Sequence, residues 1–154
     1  MGAPSIGYEE HSTLRRSDVA RIQLIEAIAL FVNDKFLPAL TLAGAAEEIF
    51  GKLLLRRSQT PVVKESAQAM AAVREATGLS VMGGKSDREL IDGWNAARNA
   101  VKHLVAPEEE SITLNLCDEA YWMIRRALAN ASRLGVMIDN ANEFENWVVV
   151  NAST

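Results

Sequence analysis

Residues 38–57 read PALTLAGAAEEIFGKLLLRR, and this stretch decides the fold class. Apolar side chains recur at intervals of three and four residues, at Leu42, Ala46, Ile49 and Leu53. This spacing places them on one face of an α-helix rather than on alternating faces of a strand. Pro38 suits the first turn, because proline lacks the N–H that a helix start leaves unbonded. The stretch therefore predicts an amphipathic helix that continues to about Arg57.

The same periodicity extends outward along the chain, and turn residues divide it into segments. Ser86 and Glu89 have the spacing of a capping box, and Gly78 suits the left-handed position after a helix end. The pattern predicts helices over about 13–33, 38–57, 61–78, 87–104 and 116–134, and a last short helix capped by Asp139 or Asn140. Only Ile112 and Leu114 suggest a short extended piece. The sequence thus predicts an all-α, up-and-down bundle of about five to six helices.

The length of 154 residues is that of one ordinary domain. Residues 1–12 are polar and interrupted by Pro4 and Gly7, and they predict a flexible N-terminal arm. Residues 13–154 are then a single helical-bundle domain.

Charge and apolar runs exclude several classes of function. The chain has 16 Lys and Arg against 20 Asp and Glu, a formal net charge of −4, which disfavours a DNA-coating protein but leaves room for a local basic cleft. No apolar run approaches the roughly 20 residues needed to cross a bilayer, so no membrane association is expected. The only cysteine, Cys117, cannot form an internal disulfide. We expect a cytoplasmic protein.

Motifs for nucleotides and metals are weak. The loop that ends in Gly84, Lys85 and Ser86 resembles a phosphate loop, but its glycine spacing fails and a helix, not a strand, precedes it. His11 and His103 lie far apart in sequence and have no ligand partners at metal-site spacing. We therefore expect neither a metal nor a cofactor.

Paired charges on the predicted helices indicate solvated surfaces. Glu48 and Lys52 are spaced for an exposed ion pair on one helix. Arg125 and Arg126 are interpreted likewise as charges on a helix surface.

The fourth predicted helix is different, and residues 94–104 read WNAARNAVKHL. Its apolar stripe consists of Leu90, Trp94, Ala97, Val101 and Leu104. Off the stripe lie two amides, two cations and an imidazole: Asn95, Arg98, Asn99, Lys102 and His103. Such a carboxylate-free set fits an anionic group, since cations neutralise its charge, amides donate hydrogen bonds and histidine exchanges protons near neutral pH.

Arg98, Asn99 and His103 carry a resemblance to a known family. The spacing Arg98-Asn99-x-x-x-His103 resembles the R-x4–6-H motif of HEPN domains, in which a polar residue often follows the arginine. These are small α-helical domains, and many are metal-independent ribonucleases that act as homodimers. The resemblance implies that Arg98 contacts the scissile phosphate and that His103 transfers protons. Asn99 would orient the phosphate or the histidine. Lys102 and Asn95 are not motif positions. We predict that they bind substrate only because they lie on the same helix face.

The resemblance implies an endoribonuclease that cleaves RNA by attack of the 2′-hydroxyl, as a toxin or defence component. Such proteins work as homodimers, sometimes beside an antitoxin or a nucleotidyltransferase. The alternative is a non-catalytic HEPN-like dimeric bundle that binds a nucleotide, RNA or a protein. A third interpretation is a helical dimer without a phosphate site, in which Arg98 is occluded or paired to a carboxylate and His103 caps its own helix.

One geometric condition applies to the catalytic interpretation. Five helical steps separate Arg98 and His103 by about 140° around an ideal helix. Either the helix ends or loosens near His103, or the two residues converge across a dimer.

Overall fold

A computed structural model of the chain describes residues 11–78, 83–104 and 110–152. Across these ranges the chain forms six α-helices and no strand, which confirms the all-α bundle. The helices are α1 Arg16–Val32, α2 Phe36–Arg56, α3 Val62–Thr77, α4 Asp87–Ala100, α5 Leu116–Arg133 and α6 Ala141–Asn151. Residues 1–10 of the predicted arm lie outside the described residues, and residues 11–15 precede α1 without helical structure.

Local signals account for several helix ends. Gly78 ends α3 in the left-handed conformation with φ of 68°, as predicted. Ser86 begins α4 with a complete capping box, in which its hydroxyl accepts from the Glu89 N–H at 3.3 Å and its own N–H donates to the Glu89 carboxylate at 2.7 Å. Asn140 precedes α6, but its side chain donates to the Ile25 carbonyl at 2.9 Å instead of capping the helix.

Two predicted elements differ from the structure. Helix α4 ends at Ala100, four residues before the predicted end at Leu104. Leu104 is 73% exposed, so no packing of its side chain favours a further helical turn. The short extended piece at Ile112 and Leu114 forms no strand pairing with any described residue.

The core lies between α1, α2, α5 and α6. Its largest fully buried apolar side chains are Leu24, Ile28, Phe31, Leu40, Phe50, Leu54, Met123, Ile124 and Phe144. Ala43, Gly44 and Ala46 are buried within this one chain, where their small size lets α2 lie close to its neighbours. None of the described helices is both long and apolar enough to span a membrane.

The capping box gives a testable dependence of stability on pH. Hydrogen bonds from Ser86 lower the pKa of the Glu89 carboxyl below its usual 4.5. Because the pKa is lower in the folded state, this contribution is complete above the unfolded value and is lost as the pH falls through the folded value. We expect Glu89→Gln to reduce stability at neutral pH and to flatten the acid limb of the Tm–pH profile, measured by circular dichroism. Asp92→Asn, on the same helix, is the control, and an equal effect of the two variants would contradict the role of the cap.

Candidate functional site

The side chain of Arg98 points into the molecule and crosses α2. Its residue is only 9% exposed. The aliphatic stem lies directly against Gly44, where an added Cβ would sit 2.5 Å from Arg98 Cγ and 2.8 Å from Arg98 Cδ. The absence of a side chain at Gly44 therefore makes the path of Arg98 through the bundle possible.

Glu47 lies between two arginines at the end of this path. Arg98 Nη1 donates to Glu47 Oε2 at 3.1 Å, and Arg126 Nη2 donates to Glu47 Oε1 at 2.8 Å. The Glu47 side chain is 4% exposed, and the two arginine side chains are 11% and 12% exposed. Two buried cations thus share one buried carboxylate, an arrangement in which loss of a partner leaves an uncompensated charge.

Further hydrogen bonds connect this group to its neighbours. Arg126 donates to the Asn95 side-chain oxygen at 2.8 Å and to the Trp94 carbonyl at 3.2 Å. Asn130 lies beside it and accepts from the Val62 N–H at 3.0 Å, which connects the start of α3 to α5. We call Glu47, Asn95, Arg98 and Arg126 the buried ion cluster. It joins α2, α4 and α5 through side chains.

The end of α4 presents a different, exposed set of polar side chains. The backbone N–H groups of Lys102 and His103 both bond to the Asn99 carbonyl, at 3.1 and 3.0 Å, which closes a tight last turn. Asn99, Lys102 and His103 are exposed there, and we call these three residues the α4 edge. Arg98 Nε donates to the Asn99 side-chain oxygen at 3.4 Å. This hydrogen bond connects the buried ion cluster to the α4 edge.

Charges near the α4 edge come from α2. Lys102 Nζ is 3.9 Å from Glu48 Oε2, and the other oxygen of that carboxylate, Oε1, accepts from Lys52 Nζ at 2.7 Å. The hydrogen bond from Lys52 is the main cause that lowers the pKa of Glu48, and the charges of Arg98 and Lys102 act in the same direction. The predicted exposed pair of Glu48 and Lys52 is confirmed. The imidazole of His103 makes no hydrogen bond or ion pair with any residue that the structure describes.

The structure divides the five residues predicted for the site. Asn99, Lys102 and His103 lie together on the α4 edge, and Arg98 lies beneath them. Asn95 faces inward and accepts from Arg126, so its amide oxygen is occupied within the bundle. The helix ends between Arg98 and His103, which is the first of the two alternatives stated above.

Two buried charges were not predicted from the sequence. Arg126 was interpreted as a surface charge, but its side chain is 12% exposed. Glu47 is not among the residues predicted for the site, although three- and four-residue spacing places it on the buried face of Ala43, Gly44 and Phe50. A charged residue on an otherwise buried helical face is the signal that could have identified both.

The described residues contain no group of three or more side chains placed to hold a metal ion. Comparison of the chain with models of known families, with curated proteins and with solved structures finds no match in any of the three.

The contact between Gly44 and Arg98 leads to a stability prediction. We expect Gly44→Ala to lower the free energy of unfolding by about 1–3 kcal/mol, because the added methyl group overpacks against the Arg98 stem. Urea unfolding followed by circular dichroism measures this change. Gly51→Ala is the matched control on the same helix, since a Cβ there would be at least 3.7 Å from its neighbours. It should be neutral or stabilising, as alanine favours helix over glycine. Equal losses in both variants would contradict the close contact with Arg98.

Proposed function

We propose that the protein is an HEPN-like, metal-independent endoribonuclease whose catalytic surface is the α4 edge. The observation that carries this proposal is the end of α4 at Ala100, which leaves Asn99, Lys102 and His103 exposed together with Arg98 beneath them. An amide, a cation and an imidazole in one exposed turn are groups that can bind a phosphodiester and move a proton.

The proposed reaction uses the 2′-hydroxyl of RNA as the nucleophile. A general base removes its proton, the oxygen attacks the adjacent phosphorus, and the bond from phosphorus to the 5′-oxygen breaks. That 5′-oxygen takes a proton, which leaves a 2′,3′-cyclic phosphate and a 5′-hydroxyl. His103 serves in one of the two proton transfers, and Lys102 neutralises charge that builds on the phosphate.

Arg98 has a role that follows from its burial. Its guanidinium is bound by Glu47 and by Asn99, so it contributes positive potential from beneath and holds the Asn99 side chain in position. Among the described residues, the three basic side chains Arg98, Arg126 and Lys102 outnumber the carboxylates that they contact, Glu47 and Glu48. This local excess of positive charge favours a phosphate despite the acidic chain as a whole.

A homodimer in the cytoplasm is part of the proposal, because one chain supplies one histidine to this surface while acid and base are both needed. A two-fold axis near the α4 edge would place the same three residues of a second copy opposite. An antitoxin or a nucleotidyltransferase would then act as a regulatory partner.

The test is RNA cleavage in excess chelator. Wild-type protein should cleave a fluorescent single-stranded RNA and should leave the same sequence in DNA intact, because DNA lacks the nucleophilic hydroxyl. Mass spectrometry of the products should find a 2′,3′-cyclic phosphate. Cleavage of both substrates, or cleavage that stops on addition of chelator, would overturn the proposal.

A non-catalytic binding module is the second candidate, and the bond between Glu47 and Arg98 favours it. That guanidinium already binds a buried carboxylate, and its side chain is only 11% exposed, so a phosphate has little direct access to it. In this case RNA binds the α4 edge without cleavage.

Lys102 offers a direct measure of RNA binding under either proposal. We expect Lys102→Ala to weaken RNA affinity and to reduce the slope of log Kd against log salt by about 0.7, the loss of one phosphate contact on a single strand. Fluorescence anisotropy at several salt concentrations measures both. Lys64→Ala, on the exposed side of α3, is the control with the same change of charge. Identical slopes in the two variants would remove the α4 edge from the RNA interface.

A further inference from the structure

A cavity of about 560 Å³ lies between α3, α4 and α5, and the function proposed above does not use it. Its apolar walls come from Val62, Val63, Met70, Trp94, Trp122 and Met123. This volume lies within the range of about 300–1,000 Å³ that small-molecule sites occupy. Mostly apolar walls with a few polar groups are also typical of such sites.

Two features show that the walls of this cavity are open to solvent. A Cβ added at Gly93, on the α4 wall, would meet nothing within 4 Å. Trp122 is 58% exposed, so a large aromatic surface remains accessible at the α5 wall. Apolar surface of this size gains free energy when an apolar body covers it.

The charges at the cavity distinguish between classes of ligand. Both arginines there already have partners: Arg125 binds Glu145 with two hydrogen bonds, and Arg126 belongs to the buried ion cluster. Asp118 and Glu119 also line the cavity, and neither carboxylate makes a hydrogen bond or ion pair with another described residue. Arg126 shares Glu47 with Arg98, so four carboxylates (Asp118, Glu119, Glu145 and Glu47) face three arginines (Arg125, Arg126 and Arg98), and the net formal charge of these side chains is −1.

We propose that this cavity binds a small organic cation with an apolar body, such as an arylalkylammonium. Indole rings attract cations through the negative faces of their π systems, and Trp94 and Trp122 supply two of them. The carboxylates of Asp118 and Glu119 add charge complementarity. The site is independent of the α4 edge, so its test does not depend on ribonuclease activity.

Intrinsic fluorescence provides the readout. The chain has three tryptophans, and the third, Trp147, packs against Phe31 and Phe36 away from the cavity. In Trp147→Phe the signal comes from Trp94 and Trp122 alone. We expect benzyltrimethylammonium to change this fluorescence saturably, with an affinity at least tenfold higher than that of benzyl alcohol or benzoate.

Variants at the carboxylates separate charge recognition from simple filling of the cavity. Asp118→Asn/Glu119→Gln should weaken benzyltrimethylammonium binding about tenfold or more and leave benzyl alcohol unchanged. Glu75→Gln/Glu143→Gln changes the net charge equally at residues outside the cavity and should have no effect. The proposal is overturned if benzyltrimethylammonium shows no saturation up to about 10 mM, a concentration that would reveal even a millimolar site. It is also overturned if benzyl alcohol binds as tightly as benzyltrimethylammonium, or if Asp118→Asn/Glu119→Gln binds benzyltrimethylammonium with wild-type affinity. A dilution series of the protein that shows a second copy covering Trp122 would overturn it as well.

Discussion

Replacement of Glu47 by glutamine is expected to lower the free energy of unfolding by about 3–5 kcal/mol, because it leaves two buried guanidinium groups without their counter-ion. The side chain of Glu47 is 4% exposed, and its carboxylate accepts from Arg98 and from Arg126. Water therefore cannot replace the two ion pairs that the substitution removes. A loss of this size is a large share of the stability of an ordinary domain. Urea unfolding at neutral pH, followed by circular dichroism, measures it.

Glu48→Gln is the matched control, since it changes the same side chain at the next residue of α2. Glu48 pairs with Lys52 and Lys102 at 36% exposure, and exposed pairs contribute about 0–1 kcal/mol. Two small, equal losses would show that Glu47 is not the buried centre of the cluster. A third variant, Glu47→Leu/Arg98→Met/Arg126→Met, replaces all the charges with apolar groups and should recover much of the loss, as charge removal without orphaned partners often does.

The positions of the helices could be predicted from the sequence because the signals for them are local. A capping box at Ser86 and a left-handed glycine at Gly78 are properties of a few neighbouring residues, and both occur as predicted. The early end of α4 could not be predicted in this way. It reflects the lack of any packing for Leu104, which depends on where other helices lie.

Burial of Arg98 likewise depends on tertiary contacts. On its own helix Arg98 lies next to the apolar stripe, a position compatible with either solvent or the interior. Arg98 is buried because Gly44 on α2 leaves room for its aliphatic stem and because the Glu47 carboxylate binds its guanidinium. The residues of the α4 edge were found because Asn99, Lys102 and His103 are sequence neighbours at an exposed helix end, where local pattern suffices.

His103→Ala is expected to reduce RNA cleavage by about 10²–10⁴-fold, the contribution of a positioned proton-transfer group. Its fold should be intact, because the imidazole is exposed and contacts no described residue through a hydrogen bond or ion pair. The measurement is the initial rate of cleavage of single-stranded RNA in excess chelator, together with the melting temperature of each variant. His11→Ala is the matched control: it removes the other of the chain's two histidines, which is also exposed, and should cleave at the wild-type rate.

Chemical rescue separates a catalytic role of His103 from a structural one. If its imidazole transfers a proton, free imidazole added to His103→Ala should restore part of the rate, while it should not rescue Glu47→Gln, whose defect lies in the buried ion cluster. A His103→Ala protein that cleaves at the full rate would remove His103 from the mechanism. A wild-type protein that binds RNA in a salt-dependent manner without cleaving it would establish the binding module instead, since Lys102 and Asn99 can hold a phosphate at the α4 edge without any proton transfer.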